Sequence, residues 1–130
     1  MVEPSPEHDL LAHEVVDAAF SVHRTLGPGL LESAYEQFMA YEFEARAISF
    51  RRQVILPIAY RGYTIETGYR MDMIVGGLIV VEIKSVEKLL PIHEAQLHTY
   101  LKLSGFHLGL LINFHVPLLK YGIKRRIWSH

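Results

Sequence analysis

Cysteine is absent from this chain of 130 residues. Disulfide bonds, thiolate metal sites and cysteine nucleophiles are therefore all excluded. A chain without disulfides suits a reducing compartment, so we expect the protein to be cytoplasmic. Residues 1–9 are polar and acidic, unlike the basic and apolar segments of a signal peptide.

Long apolar runs and an excess of one charge are also lacking. Residues 73–81 form an apolar run far shorter than the roughly 20 residues that span a bilayer, so we expect no membrane association. The formal net charge is −1 with the eight histidines neutral. The overall basic charge of many nucleic-acid-binding proteins is therefore missing, although the positive charge of a nuclease can be local. The absence of Gly-x-Ser-x-Gly and Walker motifs argues against serine hydrolases and P-loop ATPases.

The spacing of apolar residues predicts one α/β domain with the order α-α-β-β-β-α-β-β and a mixed sheet flanked by helices. Half of the residues are hydrophobic, which is typical of a globular chain. We expect a flexible lead at residues 1–7 and a single domain at residues 8–130. Pro57 predicts that the first strand lies at a sheet edge or contains a bulge. Helices are expected at residues 8–26, 30–46 and 91–104, and strands at 54–60, 63–75 with a break at Gly68, 78–84, 107–114 and 120–128.

Acidic residues interrupt two neighbouring strands that are otherwise apolar. Asp72 lies on the first strand and Glu82 on the second, and a buried carboxylate is costly unless it is paired or binds a metal. The turn at Gly76-Gly77 decides whether the two acids meet. A two-residue loop would direct them to opposite faces, whereas a three-residue loop or a bulge would pair them. The sequence leaves both open, and a functional site requires the second.

Paired carboxylates at this position predict a magnesium site. Mg²⁺ prefers oxygen ligands and usually takes one or two carboxylates, waters and substrate phosphate. Asp72 and Glu82 would supply the carboxylates, and the carbonyl of Ile83 could supply a third oxygen. Lys84 shares a strand face with Glu82 and would orient or deprotonate the attacking water. The alternative is a structural ion pair between Asp72 and Lys84, with Glu82 solvated at a sheet edge.

Three further polar residues are candidates on helices. Glu32 lies near the start of the second predicted helix, where an acid also favours the helix dipole. Gln96 and Tyr100 are four residues apart and share a helix face, although such a tyrosine is commonly a core residue with a bonded hydroxyl. His93 and His98 are five residues apart, which is the wrong spacing for a zinc-protease helix.

An ordered set of motifs resembles the GxxExxY protein family, a branch of the PD-(D/E)XK nuclease-like superfamily. The resemblance runs from about Leu10 to Trp128 and implies a restriction-endonuclease-like core. His115 departs from the pattern, because relatives often carry glycine there. The matching segments are Gly29–Tyr35, which fits Gly-x-x-Glu-x-x-Tyr, then Tyr69–Asp72, Val81–Lys84, Pro91–Leu97, Tyr100–Leu101 and Leu110–Phe114.

The resemblance also implies roles for the candidate residues. In that superfamily the residues matching Asp72 and Glu82 bind the metal, and the lysine matching Lys84 assists catalysis. An acid on the first core helix, here Glu32, often completes the site. The Gln-x-x-x-Tyr motif of the RecB-like branch, which lies beside the active site, is matched by Gln96 and Tyr100.

We therefore expect a metal-dependent nuclease that hydrolyses phosphodiester bonds in DNA or RNA. Mg²⁺ is the expected cofactor, with Mn²⁺ as a substitute. The alternative is a non-catalytic protein-interaction module that keeps the nuclease-like fold, which the small size and near-neutral charge favour. A homodimer or a partner protein is compatible with either function, whereas a small-molecule binder has no positive support.

Overall fold

Three helices and seven strands make up the chain in a computed structural model that describes residues 4–129. None of the helices within those residues is long and apolar enough to cross a membrane. The helices are α1 (Pro6–Leu26), α2 (Glu32–Ala45) and α3 (Pro91–Ser104); the strands are β1 (Phe50–Ile55), β2 (Ile58–Tyr60), β3 (Tyr63–Ile65), β4 (Arg70–Val75), β5 (Ile79–Lys84), β6 (Leu108–Asn113) and β7 (Ile123–Ile127), with a short 3₁₀ helix at Leu119–Tyr121.

The first helix begins two residues before its predicted start at residue 8. The hydroxyl of Ser5 accepts a hydrogen bond from the amide of His8 at 3.3 Å, and Pro6 occupies the first helical position. Both are typical helix-start residues, because they satisfy or remove orphan backbone donors. The expected flexible lead at residues 1–7 therefore overlaps the start of α1, and its first three residues lie outside the described part of the chain.

The main sheet has the strand order β1-β4-β5-β6-β7. Among the described strands only β5 and β6 run parallel, and α3 forms the crossover between them. Read along the chain, the elements of this sheet and its helices follow the predicted order α-α-β-β-β-α-β-β. The two short strands β2 and β3 pair with each other in a separate sheet. The predicted fold class is confirmed.

The first and last strands of the main sheet differ from their predicted bounds. The first strand starts at Phe50 and ends at Ile55, because Pro57 lacks an amide donor and the chain resumes as β2. The predicted break at Gly68 is observed, because residues 63–75 are divided into β3 and β4. The last strand starts at Ile123 rather than residue 120, since the 3₁₀ helix precedes it. As Pro57 indicated, β1 lies at an edge of the sheet.

Each face of the sheet has its own apolar core. The α1–α2 side buries residues such as Val15, Met39 and Phe43 against β4, β5 and β6. The α3 side buries Leu97 and Leu101 against the opposite faces of the same strands. The central strand β5 is consequently buried along nearly its whole length.

Candidate metal site at a fork in the sheet

A three-residue loop connects β4 to β5. Val75 pairs with Ile79, so Gly76, Gly77 and Leu78 form the loop. Both glycines have positive φ, at 60° and 67°, which other residues rarely adopt. Continuing this register places Asp72 opposite Glu82, because the loop has an odd number of residues. A functional site required a three-residue loop or a bulge at this turn, and a three-residue loop is observed.

The strands β4 and β5 separate at the two acids. Their backbone ladder ends at the pair Met73–Val81. Beyond it, β4 remains paired with β1 and β5 remains paired with β6 to the ends of both strands. The sheet therefore forks, and Asp72 and Glu82 lie where the two branches diverge.

The two carboxylates bridge the fork through reciprocal hydrogen bonds to the backbone. Glu82 Oε2 accepts from the amide of Asp72 at 2.7 Å, and Asp72 Oδ2 accepts from the amide of Ile83 at 2.8 Å. Side-chain oxygens thus take the place of the carbonyls of a regular ladder. We call this arrangement of Asp72, Glu82 and the amide of Ile83 the carboxylate clamp.

The second oxygen of each clamp carboxylate remains available. Within residues 4–129, neither Oδ1 of Asp72 nor Oε1 of Glu82 has a hydrogen-bond partner. No fully buried side-chain oxygen among those residues lacks a partner, so both oxygens reach solvent. In an extended strand the amide and carbonyl of one residue point to the same side, so the Ile83 carbonyl also faces the fork. These three oxygens are therefore the candidate ligands for a cation at the fork.

Burial and nearby negative charge raise the pKa values of both carboxyl groups. Glu82 is only 4% exposed. Its burial, followed by the charge of Asp72, raises its pKa from 4.5 to about 8. The pKa of Asp72 is also raised, chiefly by burial and then by the charge of Glu36. The fork therefore favours a bound proton or cation.

Lys84 supplies a positive charge beside the clamp. Its charge lowers the pKa values of Asp72 and Glu82, although burial outweighs this effect at both carboxyls. It belongs to none of the ion pairs found in residues 4–129. The alternative of an Asp72–Lys84 ion pair with a solvated Glu82 at a sheet edge does not match this geometry, since Glu82 lies buried on the central strand.

A second buried carboxylate, Glu36, was not among the predicted site residues. Its oxygens accept hydrogen bonds from Arg52 Nε at 2.8 Å and from Gln53 Nε2 at 2.7 Å. Its charge raises the pKa values of both clamp carboxyls. Gln53 reaches it with φ at 50°, an uncommon value for a residue with a side chain.

Glu32 joins the start of α2 to the end of β5. Its Oε2 accepts from the amide of Ser85 at 3.0 Å, and the Ser85 hydroxyl donates to the carbonyl of Leu30 at 2.6 Å. The charge of Glu32 has a smaller effect on the pKa of Asp72 than the charge of Glu36 has. Glu32 thus lies at the edge of the site and contacts its frame rather than the clamp.

Tyr35 holds the loop that leads into α2. Its hydroxyl donates to the carbonyl of Gly27 at 2.5 Å and accepts from the amide of Leu30 at 3.2 Å. Its ring is fully buried and stacks on Phe114 with centroids 4.4 Å apart. The tyrosine of the Gly-x-x-Glu-x-x-Tyr segment therefore fixes the loop that precedes Glu32.

Gln96 and Tyr100 lie on the other side of the clamp, on α3. Tyr100 is close enough for the charges of Glu82 and Asp72 to raise its pKa, after the larger effect of burial. The side chain of Gln96 hydrogen bonds to it. Together they line a groove of about 310 Å³ that is otherwise walled by Ile58, Tyr69, Ile92, Ala95 and Thr99.

The clamp is not part of a larger metal-binding cluster within the described chain. Among residues 4–129, no group of three or more histidine, aspartate or glutamate side chains is arranged to hold a metal ion. His93 instead accepts a hydrogen bond from the amide of Leu90 at 3.0 Å and caps α3. A metal at the fork would therefore have two carboxylates and complete its shell with water or phosphate, as Mg²⁺ commonly does.

Comparison with known protein families gives one match. Residues 9–126 match the family profile described as the PD-(D/E)XK nuclease superfamily. The helices and mixed sheet fit the restriction-endonuclease-like fold. Nucleases of this superfamily generally use divalent metal ions. No curated protein and no solved structure matches the chain.

Proposed function

Since the chain belongs to the PD-(D/E)XK nuclease superfamily, we propose that it is a metal-dependent nuclease that hydrolyses phosphodiester bonds in DNA or RNA. The observation that carries the proposal is the pair Asp72 and Glu82, which face each other at the fork with their pKa values raised. Titratable groups perturbed by burial and by one another are typical of functional sites. The Gly29–Tyr35 segment supports assignment to the GxxExxY branch.

Mg²⁺, or Mn²⁺ in its place, fits the donor set of the fork. Asp72 and Glu82 each offer one carboxylate oxygen that bonds to nothing in the described residues, and the Ile83 carbonyl offers a third oxygen. These are the hard ligands that Mg²⁺ prefers. When bound, the ion would polarise a phosphoryl oxygen and lower the pKa of a coordinated water.

The remaining residues would position and stabilise the reacting groups. Lys84 follows Glu82 on the same strand face. Its ammonium would orient the attacking water and neutralise charge that develops on the phosphate, whereas only its neutral amine could deprotonate that water. Gln96 and Tyr100 would contact the nucleotide from α3. Glu32 would act through water or through its bond to Ser85 at the end of β5.

Cleavage assays with matched variants test this function. Labelled DNA and RNA are incubated with millimolar Mg²⁺ or Mn²⁺ and either the wild type or Asp72→Asn. We expect cleavage by the wild type and none by the variant. Glu44→Gln serves as the control, because Glu44 is an exposed carboxylate far along α2 that belongs to no ion pair in residues 4–129. Equal cleavage by Asp72→Asn would mean that another site or a contaminant is responsible.

A non-catalytic interaction module is the second candidate function. The carboxylate clamp favours it in one respect, because each acid already satisfies a backbone amide and so serves the fold. Such a module could act as a homodimer or with a partner protein. It has no reason to bind a divalent ion, so calorimetric titration with Mn²⁺ separates the two functions. Absence of binding by the wild type would favour the module.

A further inference from the structure

The short hairpin of β2 and β3 lies between β1 and β4 in the chain, at the end of these strands where the candidate site lies. It begins where the β1–β4 pairing ends, at the hydrogen bond from the amide of Leu56 to the carbonyl of Tyr69 at 2.9 Å. Tyr69 is three residues before Asp72. The two strands form a sheet of their own and pair with no other strand among residues 4–129. A two-stranded hairpin has little stability of its own. We therefore expect the exposed surface of this hairpin to have a function.

One face of this hairpin is apolar and open to solvent. Tyr60 pairs with Tyr63 and Ile58 pairs with Ile65, so these four side chains share a face. The two tyrosines flank the turn and are 72% and 74% exposed. We call these four residues the aromatic face.

The turn adds a positive charge to the tip of the hairpin. Arg61 and Gly62 have positive φ, at 49° and 86°, which suits a two-residue turn in a right-twisted hairpin. The Arg61 side chain is exposed beside Tyr60 and Tyr63. Glu66, the one acid of residues 56–69, lies in the bend after β3.

The aromatic face continues into the groove beside the carboxylate clamp. Ile58 belongs to both, and Tyr69 extends the groove toward Tyr100. Tyr100 in turn packs in the same apolar cluster as Met71, the residue before Asp72. An aromatic path therefore leads from the hairpin tip to the candidate site.

We propose that the aromatic face and its groove bind the unpaired bases of a single-stranded nucleic acid, of which one phosphate reaches the carboxylate clamp. Tyrosine rings stack on bases of any identity, and a nearby arginine attracts the backbone phosphates. Paired bases in a duplex already stack on one another and cannot use such a face. This inference rests on the proposed nuclease function and specifies its substrate as single-stranded.

The dimensions agree with a short strand. Asp72 follows Tyr63 by nine positions in the chain. The hairpin tip therefore lies at most about 30 Å from the clamp, even along a fully extended chain. Single-strand sites of small domains cover roughly 4–16 nucleotides. An oligonucleotide of about 12 nucleotides should therefore fill the path.

The test measures binding without cleavage. A fluorescein-labelled single strand and a duplex of the same sequence are titrated in EDTA, and fluorescence anisotropy reports the affinity of each. We expect the wild type to favour the single strand. Replacing both tyrosines (Tyr60→Ala with Tyr63→Ala) should weaken binding about 10-fold or more, because stacking of one base on an aromatic ring typically raises the affinity by about this factor. The matched pair Tyr60→Phe and Tyr63→Phe keeps the rings and should bind within about 3-fold of the wild type.

A second variant separates a loss of binding contacts from unfolding of the hairpin. Arg61→Glu leaves every aromatic ring in place and should weaken binding through repulsion of the phosphates. Equal affinity for duplex and single strand, or wild-type affinity in the double alanine variant, would overturn the proposal. So would conversion of a dimer to a monomer by the double alanine variant in sedimentation, which would assign this face to a second copy.

Failure of the single-strand site can be distinguished from failure of the proposed nuclease function. Binding that depends on the tyrosines, without cleavage by the wild type in Mg²⁺, would keep the single-strand site and reject the nuclease. Cleavage with unchanged KM in the double alanine variant would keep the nuclease and reject the single-strand site.

Discussion

Glu82 accepts a hydrogen bond from the backbone amide of Asp72 through Oε2, at 2.7 Å. Asp72 in turn accepts a bond from the amide of Ile83 through Oδ2. Each acid thus positions the other, and both are fixed when the sheet folds rather than when a ligand arrives. Preorganised ligands of this kind reduce the reorganisation that accompanies binding.

Replacement of Asp72 by asparagine should remove metal binding and keep the fold. The side-chain oxygen of Asp72→Asn can still accept from the Ile83 amide, while the negative charge that holds a cation is lost. We expect calorimetric Mn²⁺ affinity to fall about 10-fold or more, with circular dichroism unchanged. Wild-type affinity in this variant would place any bound ion elsewhere; Glu44→Gln is the control.

Replacement of Glu82 by glutamine should change how stability depends on pH. Folding raises the pKa of Glu82 from 4.5 to about 8, so the folded protein binds this proton more tightly than the unfolded chain does. The resulting stability is fully present below about pH 4.5 and is lost as pH rises through 8. Glutamine cannot ionise, so the Glu82→Gln protein should keep this stability at high pH.

We therefore expect Glu82→Gln, in EDTA, to exceed the wild type in free energy of unfolding by roughly 2 kcal/mol or more above pH 8. The two proteins should converge toward pH 4.5. Urea unfolding at several pH values measures the difference. A gap that is constant across this range would show that Glu82 does not titrate as its burial requires.

Loss of the Lys84 ammonium should affect the reaction more than the metal. Lys84→Met keeps an unbranched side chain but removes the charge that would orient water and stabilise the phosphate. We expect kcat to fall about 100-fold or more, with Mn²⁺ affinity retained, because the lysine repels a cation. Lys88→Met, at an exposed position in the following loop, is the control. An unchanged kcat would remove Lys84 from the mechanism.

Removal of the Tyr35 hydroxyl should loosen the loop before α2. Tyr35→Phe keeps the stack on Phe114 but leaves the Gly27 carbonyl and the Leu30 amide without their partner. We expect the free energy of unfolding to fall by about 1–2 kcal/mol. Denaturant unfolding checks this, with the exposed Tyr41→Phe as control. Equal stability of Tyr35→Phe and the wild type would mean that water replaces both bonds.

The sequence predicts the elements whose ends carry strong local signals. Helix α3 runs from Pro91 to Ser104 as predicted, because proline suits a first helical position and Gly105 ends the helix in a left-handed conformation. The start of β1 at Phe50 was missed. Most of this edge strand is exposed, so its side chains show no regular apolar alternation.

The candidate site could be predicted only in part, because only some of its residues carry a local signal in the sequence. Asp72 and Glu82 stand out because apolar strands rarely carry acids, which is a local signal. Glu36 was missed although it follows Glu32 by one helical turn, because its burial depends on Arg52 and Gln53 from another element. Long-range contacts of this kind leave no periodic pattern in the sequence.

The carboxylate clamp also provides the site with its own spectroscopic reporters. The amide protons of Asp72 and Ile83 point directly at the two groups whose charge would change on protonation or metal binding. Their resonances would therefore shift first in a nitrogen-resolved NMR titration, without any substrate or attached probe. Protonation or metal binding at the fork can thus be followed through the backbone amides of Asp72 and Ile83.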